Sequence, residues 1–498
     1  MTSSFSNTRL SLRKIFTPRL LIGAIGGAVI YKNRDGVGNI LINVGRTLDA
    51  TWCALSVISK YQTAFWMNPG KRLDDTIFDE LNEKCARKIF KLCCRNQGIY
   101  CKFGQHVASA SKNTKFLPDI YEKILANLED QLITYQVLKV SQLREIFYNE
   151  TSLNFNDVFT DINPIPIGTA SLAQVFKAKL INTGEEVAIK VQHPGIEWKS
   201  KWDITVISMI LKITKLIFPG LNFDFIINAI QKNLHKELDF TKEAENAILT
   251  AEEMKKLSKF YIPKVISSLS SSRILVTQYI KGQSLSKFLQ TANACQRKKV
   301  VELIENMYYF MIFNLKKVHA DPHAGNLIVI CSENNPQDME LALLDHGLYL
   351  HYDKEFLVKY SNMILKLSEG TEDELFNSCC DLGFTQEQSK MFIRLFFGSE
   401  TWKEMFLRKK STPGSQNIDD PLSRSDILGI LSQMNVRLLI LFQINNLLIR
   451  LNPSDHILSL ELMRRLLDFT YDEGNISLHQ FIIRRFKLFC LSCFIGIQ

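Results

Sequence analysis

Between residues 37 and 150 apolar positions recur at three- and four-residue spacing, as at Phe78, Leu81, Cys85, Ile89 and Leu92, and this period predicts a helical region. From Asn163 to Ile280 the pattern shifts to short β-branched runs, Val187–Val191 and Ile274–Ile280, which enclose helical stretches near 198–217 and 224–258. Beyond Gly282 it becomes helical again, interrupted by two short strand candidates, Leu327–Ile330 and Leu341–Leu344. There is no internal repeat and no long low-complexity linker. A helical region, a mixed one and a mostly helical one in succession predict an α+β protein.

One apolar run falls outside this scheme. Leu20–Tyr31 is 12 residues long, shorter than the roughly 17 to 25 that a membrane span needs. It holds Gly23 and Gly27, a spacing that suits close helix packing in lipid and equally suits a flexible linker. The run sits in a leader, residues 1–34, that is rich in Ser, Thr and Arg. The leader carries six basic residues (Arg9, Arg13, Lys14, Arg19, Lys32 and Arg34) and no acid. These features favour a mitochondrial presequence followed by a single inner-membrane anchor; secretory insertion and an unfolded tail are the alternatives.

Charge adds an exclusion. The chain of 498 residues has a formal net charge of +9, and six of those positive charges belong to the leader, leaving the remainder at +3. That balance disfavours the basic stripe that nucleic-acid binding requires. Eleven cysteines are too few for a disulfide framework and odd in number, so most are expected as free thiols. Cys490 and Cys493 form a single CxxC without a partner pair, which is weak evidence for a zinc or redox element.

The candidate chemistry lies in five ordered pieces. Phosphoryl transfer needs a loop over the phosphates, a lysine to hold them, oxygen ligands for magnesium and a carboxylate near the acceptor. Gly168–Val175, read Gly-Thr-Ala-Ser-Leu-Ala-Gln-Val, overlays a GxGxxGxV loop with alanine at the second and third glycine positions. Fourteen residues separate Val175 from Lys190, enough for a strand, a turn at Asn182–Gly184 and a second strand that ends Val-Ala-Ile-Lys. His319-Ala-Asp321 and Asn326 keep the HxDxxxxN spacing, and Asp345-His346-Gly347 follows where DFG would stand. Any one of these is weak, since a lone Asp is usually a loop residue or a cap. Their order makes coincidence hard to sustain. The basic residue of HRD is absent and no APE follows, so a peptide-docking activation segment is not expected, and the loop looks closer to those of small-molecule kinases.

Two further motifs, Lys102-Phe-Gly-Gln105 and Glu237-Leu-Asp239, complete a set that resembles the UbiB family of atypical kinases, the aarF-domain-containing kinases. The resemblance covers about residues 90–350 and is nearest to the mitochondrial inner-membrane branch represented by aarF-domain-containing kinase one, in its fungal form. It implies a protein-kinase-like bilobal fold with a family-specific N-terminal helical extension and a mostly helical C-lobe. The expected parts are a presequence and anchor at 1–34, the helical extension with KxGQ at 35–160, a kinase-like N-lobe at 161–282 and a C-lobe at 283–498.

The resemblance also implies ATP and Mg2+ as cofactors. It assigns Asp321 and Lys190 to catalysis, Gly168, Thr169, Ala170, Ser171, Lys190, Gln278 and Tyr279 to the nucleotide, and Asn326 and Asp345 to the metal. Lys102, Gly104, Gln105, Glu237, Asp239 and Glu243 are the family's regulatory positions, with the KxGQ segment expected over the active site and peptides expected as poor substrates. Glu237 and Glu243 are expected on one helix, where they point about 120° apart, so that only one pairs with Lys190. The implied role is an atypical kinase or ATPase in mitochondrial lipid or coenzyme Q homeostasis, its soluble part facing the intermembrane space. The implied partners are a nucleotide, a lipid or quinone-like molecule and the inner membrane, with no nucleic acid. A non-catalytic nucleotide-binding scaffold is the alternative. The family's loop often reads AAAS, so Gly168-Thr169 leaves phosphate-loop geometry less restrained here.

Overall fold

The computed structural model describes residues 37–71, 76–114, 117–128, 137–218, 223–332, 335, 338–369, 371–397, 436–451 and 460–474, with single positions at 477, 480 and 484. The leader with its apolar run and the Cys490/Cys493 pair lie outside the described residues. In chain order the helices are α1 Val37–Met67, α2 Asp79–Asn96, α3 Ile99–Thr114, α4 Asp119–Leu125, α5 Val140–Thr151, α6 Phe155–Val158, α7 Ile196–Ile217 and α8 Asp224–Glu237. They continue with α9 Phe240–Met254, α10 Leu285–Thr291, α11 Ala294–Tyr309, α12 Lys354–Glu369, α13 Glu372–Asp381, α14 Gln386–Phe397, α15 Val436–Leu451 and α16 Leu460–Asp472. The strands are β1 Phe159–Thr160, β2 Gly168–Thr169, β3 Ala173–Leu180, β4 Glu186–Gln192, β5 Phe260–Tyr261, β6 Ile274–Gln278, β7 Gln283–Ser284, β8 Lys317–His319, β9 Leu327–Cys331, β10 Met339–Leu343 and β11 Tyr349–His351. Mostly helical with small sheets, this is the α+β class expected from the periodicity. No helix among the described residues is long and apolar enough to cross a membrane.

The chain forms two compact units whose sequences interleave. One takes the described residues up to Leu143, with Pro164–Phe176 and Val191–Leu234; the other takes Arg144–Asn163, Lys177–Lys190 and the described residues from His235 onward.

The first unit is a helical cluster held by a few buried polar ties. Arg46 on α1 meets the buried Asp203 of α7 through both carboxylate oxygens, with Nε to Oδ1 at 3.1 Å. Trp202 Nε1 donates to Thr47 Oγ1 at 2.9 Å. The Tyr61 hydroxyl donates to Asn82 Oδ1 and lies 2.7 Å from the Tyr121 hydroxyl. Gly104 lets α3 lie close to its neighbours, because a Cβ there would meet Leu128 Cδ1 at 2.5 Å and Cys93 Sγ at 3.2 Å. The glycine of the KxGQ segment is thus required by packing inside this unit. Here too β2 pairs antiparallel with the start of β3, Gly168 opposite Val175, and the Ala170 N–H closes the turn on Ala173 O at 2.8 Å.

The second unit carries three small sheets. In the first, β1 pairs with the end of β3, followed in order by β4 and β6. Leu180 and Glu185 close the β3–β4 turn, with Gly184 at φ +71 as the expected turn glycine. The second sheet has the order β5-β10-β9-β7, and the third pairs β11 with β8. A single apolar core, including Val300, Ile304, Tyr308, Leu327, Leu341 and Leu357, joins these two sheets to the helices from α9 to α16. Before β8, α11 runs into a π-helical turn, Phe310–Leu315. Lys316 at φ +52 then redirects the chain into the strand.

Candidate active site

Strand register brings the loop residues together. In the antiparallel β9–β10 ladder Leu327 stands opposite Leu343, so Asn326 and Asp345 leave the same end of two paired strands. The Leu344 N–H donates to Asn326 O at 3.0 Å and ties the two exits. In the β8–β11 ladder His319 stands opposite Tyr349, and the Ala320 N–H donates to Leu348 O at 2.9 Å. Asp321 and Gly347 therefore also share an end. The Asn326 amide donates to both the backbone and the carboxylate oxygen of Asp321, each at 3.2 Å. His323 Nδ1 accepts from the Gly325 N–H and shapes the turn between them.

Lys190, on β4, carries the positive charge of the site. Its ammonium donates to Glu243 Oε1 and Oε2 at 2.6 and 2.8 Å and reaches Asp345 Oδ2 at 3.5 Å. Glu243 is 5% exposed, whereas Asp345 keeps 40% of its side chain open. Burial works against the Lys190 ammonium, but Asp345 and Glu243 outweigh it and hold its pKa above the ordinary lysine value. Burial likewise works to raise Asp345, and Lys190, His319 and the Gly347 N–H overcome it, holding this carboxyl well below the usual range. Glu243 bears the cost: burial, with the Asp345 charge, pushes it up to about 7 against the pull of Lys190. The result is a firmly charged cation beside a firmly ionised, partly open carboxylate.

Glu243 reaches Lys190 because the chain breaks just before it. Glu237 is the last residue of α8, and Asp239 is the N-cap of α9, extended at φ −127 and ψ 96, its carboxylate accepting from the Thr241 N–H at 3.1 Å. The expectation that Glu237 and Glu243 share one helix is therefore corrected. A capping aspartate starts a new helix between them, and the partner of Lys190 is Glu243. The ExD motif is a helix end followed by a cap.

Helix α9 presents a polar stripe toward the site loops that periodicity alone did not single out. Asn246 Nδ2 donates to His346 O at 2.9 Å. Thr250 Oγ1 and Glu253 Oε2 accept from the buried Lys317 ammonium at 3.2 and 3.0 Å, and that ammonium lies 4.7 Å from the centre of the Tyr349 ring. Positions 243, 246, 250 and 253 fall three or four apart on one face. That spacing was the available signal; the burial of Lys317 had none in the local sequence. His346 replaces a DFG phenylalanine as a buried, neutral wedge. Burial, with His319 nearby, pushes its pKa down to about 3, and its ring nitrogens face the Tyr349 hydroxyl at 2.8 Å and Leu343 O at 3.2 Å. A neutral ring with the proton on Nε2 donates to the carbonyl and accepts from the phenol.

The other expected positions fall as follows. Gln278 ends β6, its N–H donating to Lys264 O, and the Tyr279 N–H donates to Glu186 O, each at 2.9 Å. The Lys177 ammonium sits 4.1 Å from the Tyr279 ring centre. Gly168, Thr169, Ala170 and Ser171 form the β2–β3 hairpin of the first unit, as do Lys102, Gly104 and Gln105 the middle of its α3. Gly168 is not required by space, since a Cβ there would meet Val175 only at 3.9 Å. Among the described residues no group of three or more His, Cys, Asp or Glu side chains is arranged to hold a metal by itself. Asp345 and Asn326 supply two hard oxygen donors, a set that suits Mg2+ carried in on substrate phosphates rather than a protein-caged ion.

Residues 129–378 match the ABC1 atypical kinase-like domain. The chain is 30% identical over 369 residues to the AarF domain-containing kinase 1 of Drosophila melanogaster, covering 73% of this chain and 70% of that protein. It is 30% identical over 408 residues to the probable serine/threonine-protein kinase abkD of Dictyostelium discoideum, across 81% of this chain and 55% of the relative. With the ABC1 family protein MCP2 homolog of Schizosaccharomyces pombe it shares 33% identity over 302 residues, across 59% of this chain and 53% of the relative. The chain thus spans about half the length of the latter two.

Proposed function

Since the chain belongs to the ABC1 atypical kinase-like family, we propose that it binds MgATP and transfers or hydrolyses the terminal phosphoryl group. The observation that carries this reading is the Lys190–Glu243–Asp345 set, with its ammonium 3.5 Å from an ionised carboxylate that remains partly open. Lys190 would hold phosphate oxygens, and Asp345 with Asn326 would hold the magnesium, which supplies charge neutralisation on the phosphates. Asp321, hydrogen-bonded by Asn326 and exposed, is the carboxylate available to an acceptor hydroxyl or water.

The physiological setting belongs to the same proposal. The acid-free, Arg-bearing leader supports a mitochondrial inner-membrane protein whose soluble part faces the intermembrane space. The resemblance to the aarF-domain-containing kinases supports a role in lipid or coenzyme Q homeostasis, with a small or lipidic acceptor rather than a peptide.

The test is ATP turnover by the purified full chain, with and without phospholipid vesicles, for the wild type and Asp321→Asn. An enzyme loses turnover by about two orders of magnitude or more with the variant while still binding nucleotide. A scaffold that uses nucleotide only as a switch shows the same turnover, near background, in both.

A further inference from the structure

The helical first unit forms a partly open cavity of about 190 Å³ between α1, α2, α3, α4 and α7. Its walls are mainly aliphatic and aromatic, Ile58, Phe65, Leu92, Phe103, Ile210 and Phe218 among them, and no charged side chain among the described residues contributes. The two cysteines in the wall reinforce this character. Burial pushes the Cys53 thiol up to about 11 and Cys93 well above its ordinary value, so both are neutral. Tyr61 and Tyr121 also line it, but their hydroxyls are already engaged with each other. Tyr100 differs: it lines the cavity, is 3% exposed, and its hydroxyl has no hydrogen-bond partner among the described residues.

Close packing is the rule in protein interiors, and an unfilled apolar space lowers stability in proportion to its size. A dry apolar cavity of about 150 Å³ is already large enough to take benzene. The space here exceeds that, yet falls short of the roughly 300 Å³ and more of ordinary drug-sized pockets. Its occupant is therefore ring-sized or a short stretch of chain. With no counter-charge in the wall, a charged group inside would be strongly disfavoured, while one hydroxyl waits for an acceptor.

We propose that this cavity is a binding site for an uncharged hydrocarbon ligand, a single ring or a short alkyl chain bearing at most one acceptor oxygen. Phe103 and Gly104, the centre of the Lys102–Gln105 segment, form part of its wall, so occupancy bears directly on the helix that carries this motif. Its occupancy is read without nucleotide.

The test uses propylbenzene, a neutral single-ring probe, titrated calorimetrically into the full chain, with decan-1-ol as competitor. Ala54→Trp and Ile210→Phe fill the space from α1 and from α7, and Leu216→Trp adds the same bulk at an exposed position of α7. All four proteins share one buffer, so partition into any carrier detergent cancels. The wild type and Leu216→Trp should bind saturably and release the probe to decanol, and each filling variant should lose at least tenfold in affinity while keeping the wild-type circular dichroism. Either filling variant that folds decides the matter. Wild-type affinity in a folded filling variant, or no saturable binding by the wild type, overturns the proposal.

Discussion

A buried histidine that stays neutral has a measurable consequence. His346 is 2% exposed, and its pKa drops from 6.5 to about 3 on folding, chiefly through burial. Between those values the unfolded chain binds a proton that the folded chain does not, so this residue's contribution to stability is intact above pH 6.5 and is lost as pH falls toward 3. Within the window the wild type should lose up to about 1.4 kcal/mol per pH unit more than His346→Phe does. Urea midpoints from pH 6.5 to 4.5 for both proteins measure it; parallel lines would mean that His346 is charged in the folded state. Lys190, Asp321, Asn326 and Asp345, which the second unit brings together, were legible because their spacing is set by strand, turn and loop lengths that the sequence displays. The choice between Glu237 and Glu243 was not legible from helical geometry, because it turned on a cap. Asp239, followed two positions later by a threonine whose N–H it accepts, was the sign of that cap.

At the scale of elements, α9 is the part on which the site depends. Glu243, Asn246, Thr250 and Glu253 hold it to Lys190, to the His346 carbonyl and to Lys317 on β8. Lys317 is 5% exposed, so its removal leaves Thr250 and Glu253 facing a lost donor, while Glu253, 39% exposed, can turn to water for compensation. Lys317→Met should therefore cost about 1 to 3 kcal/mol in urea unfolding, less than the roughly 3 to 5 expected when a fully buried pair is broken. Because α9 carries Glu243, the same variant should weaken MgATP binding several-fold without touching nucleotide. Unchanged affinity would show that α9 is held in place by its apolar face alone. Strand positions were readable from β-branched runs, and four of them were found within two or three residues of their observed limits. The pairing that puts Asn326 beside Leu344 was not, since register between β9 and β10 is a long-range property.

At the scale of the whole molecule, the helical, mixed and helical order along the chain was visible in its periodicity. The interleaving of two compact units was not, because the chain crosses between them inside α5, β3, β4 and α8 and in the short segment between β1 and β2, with no long linker to mark it. The leader makes a separate claim. Residues 1–34 fused to a soluble reporter should carry it into mitochondria; a reporter that stays in the cytosol or enters the secretory route would refute the address. Lys190, Asp345 and Asn326 are proposed above to form an MgATP site. Calorimetric titration of MgATP into the purified chain, compared with Asp345→Asn, tests it most directly, since this substitution removes one ionised oxygen ligand and keeps the shape. The wild type should bind saturably and only with magnesium, and the variant should lose this binding with unchanged circular dichroism. Equal MgATP affinity in the two proteins would contradict the proposal.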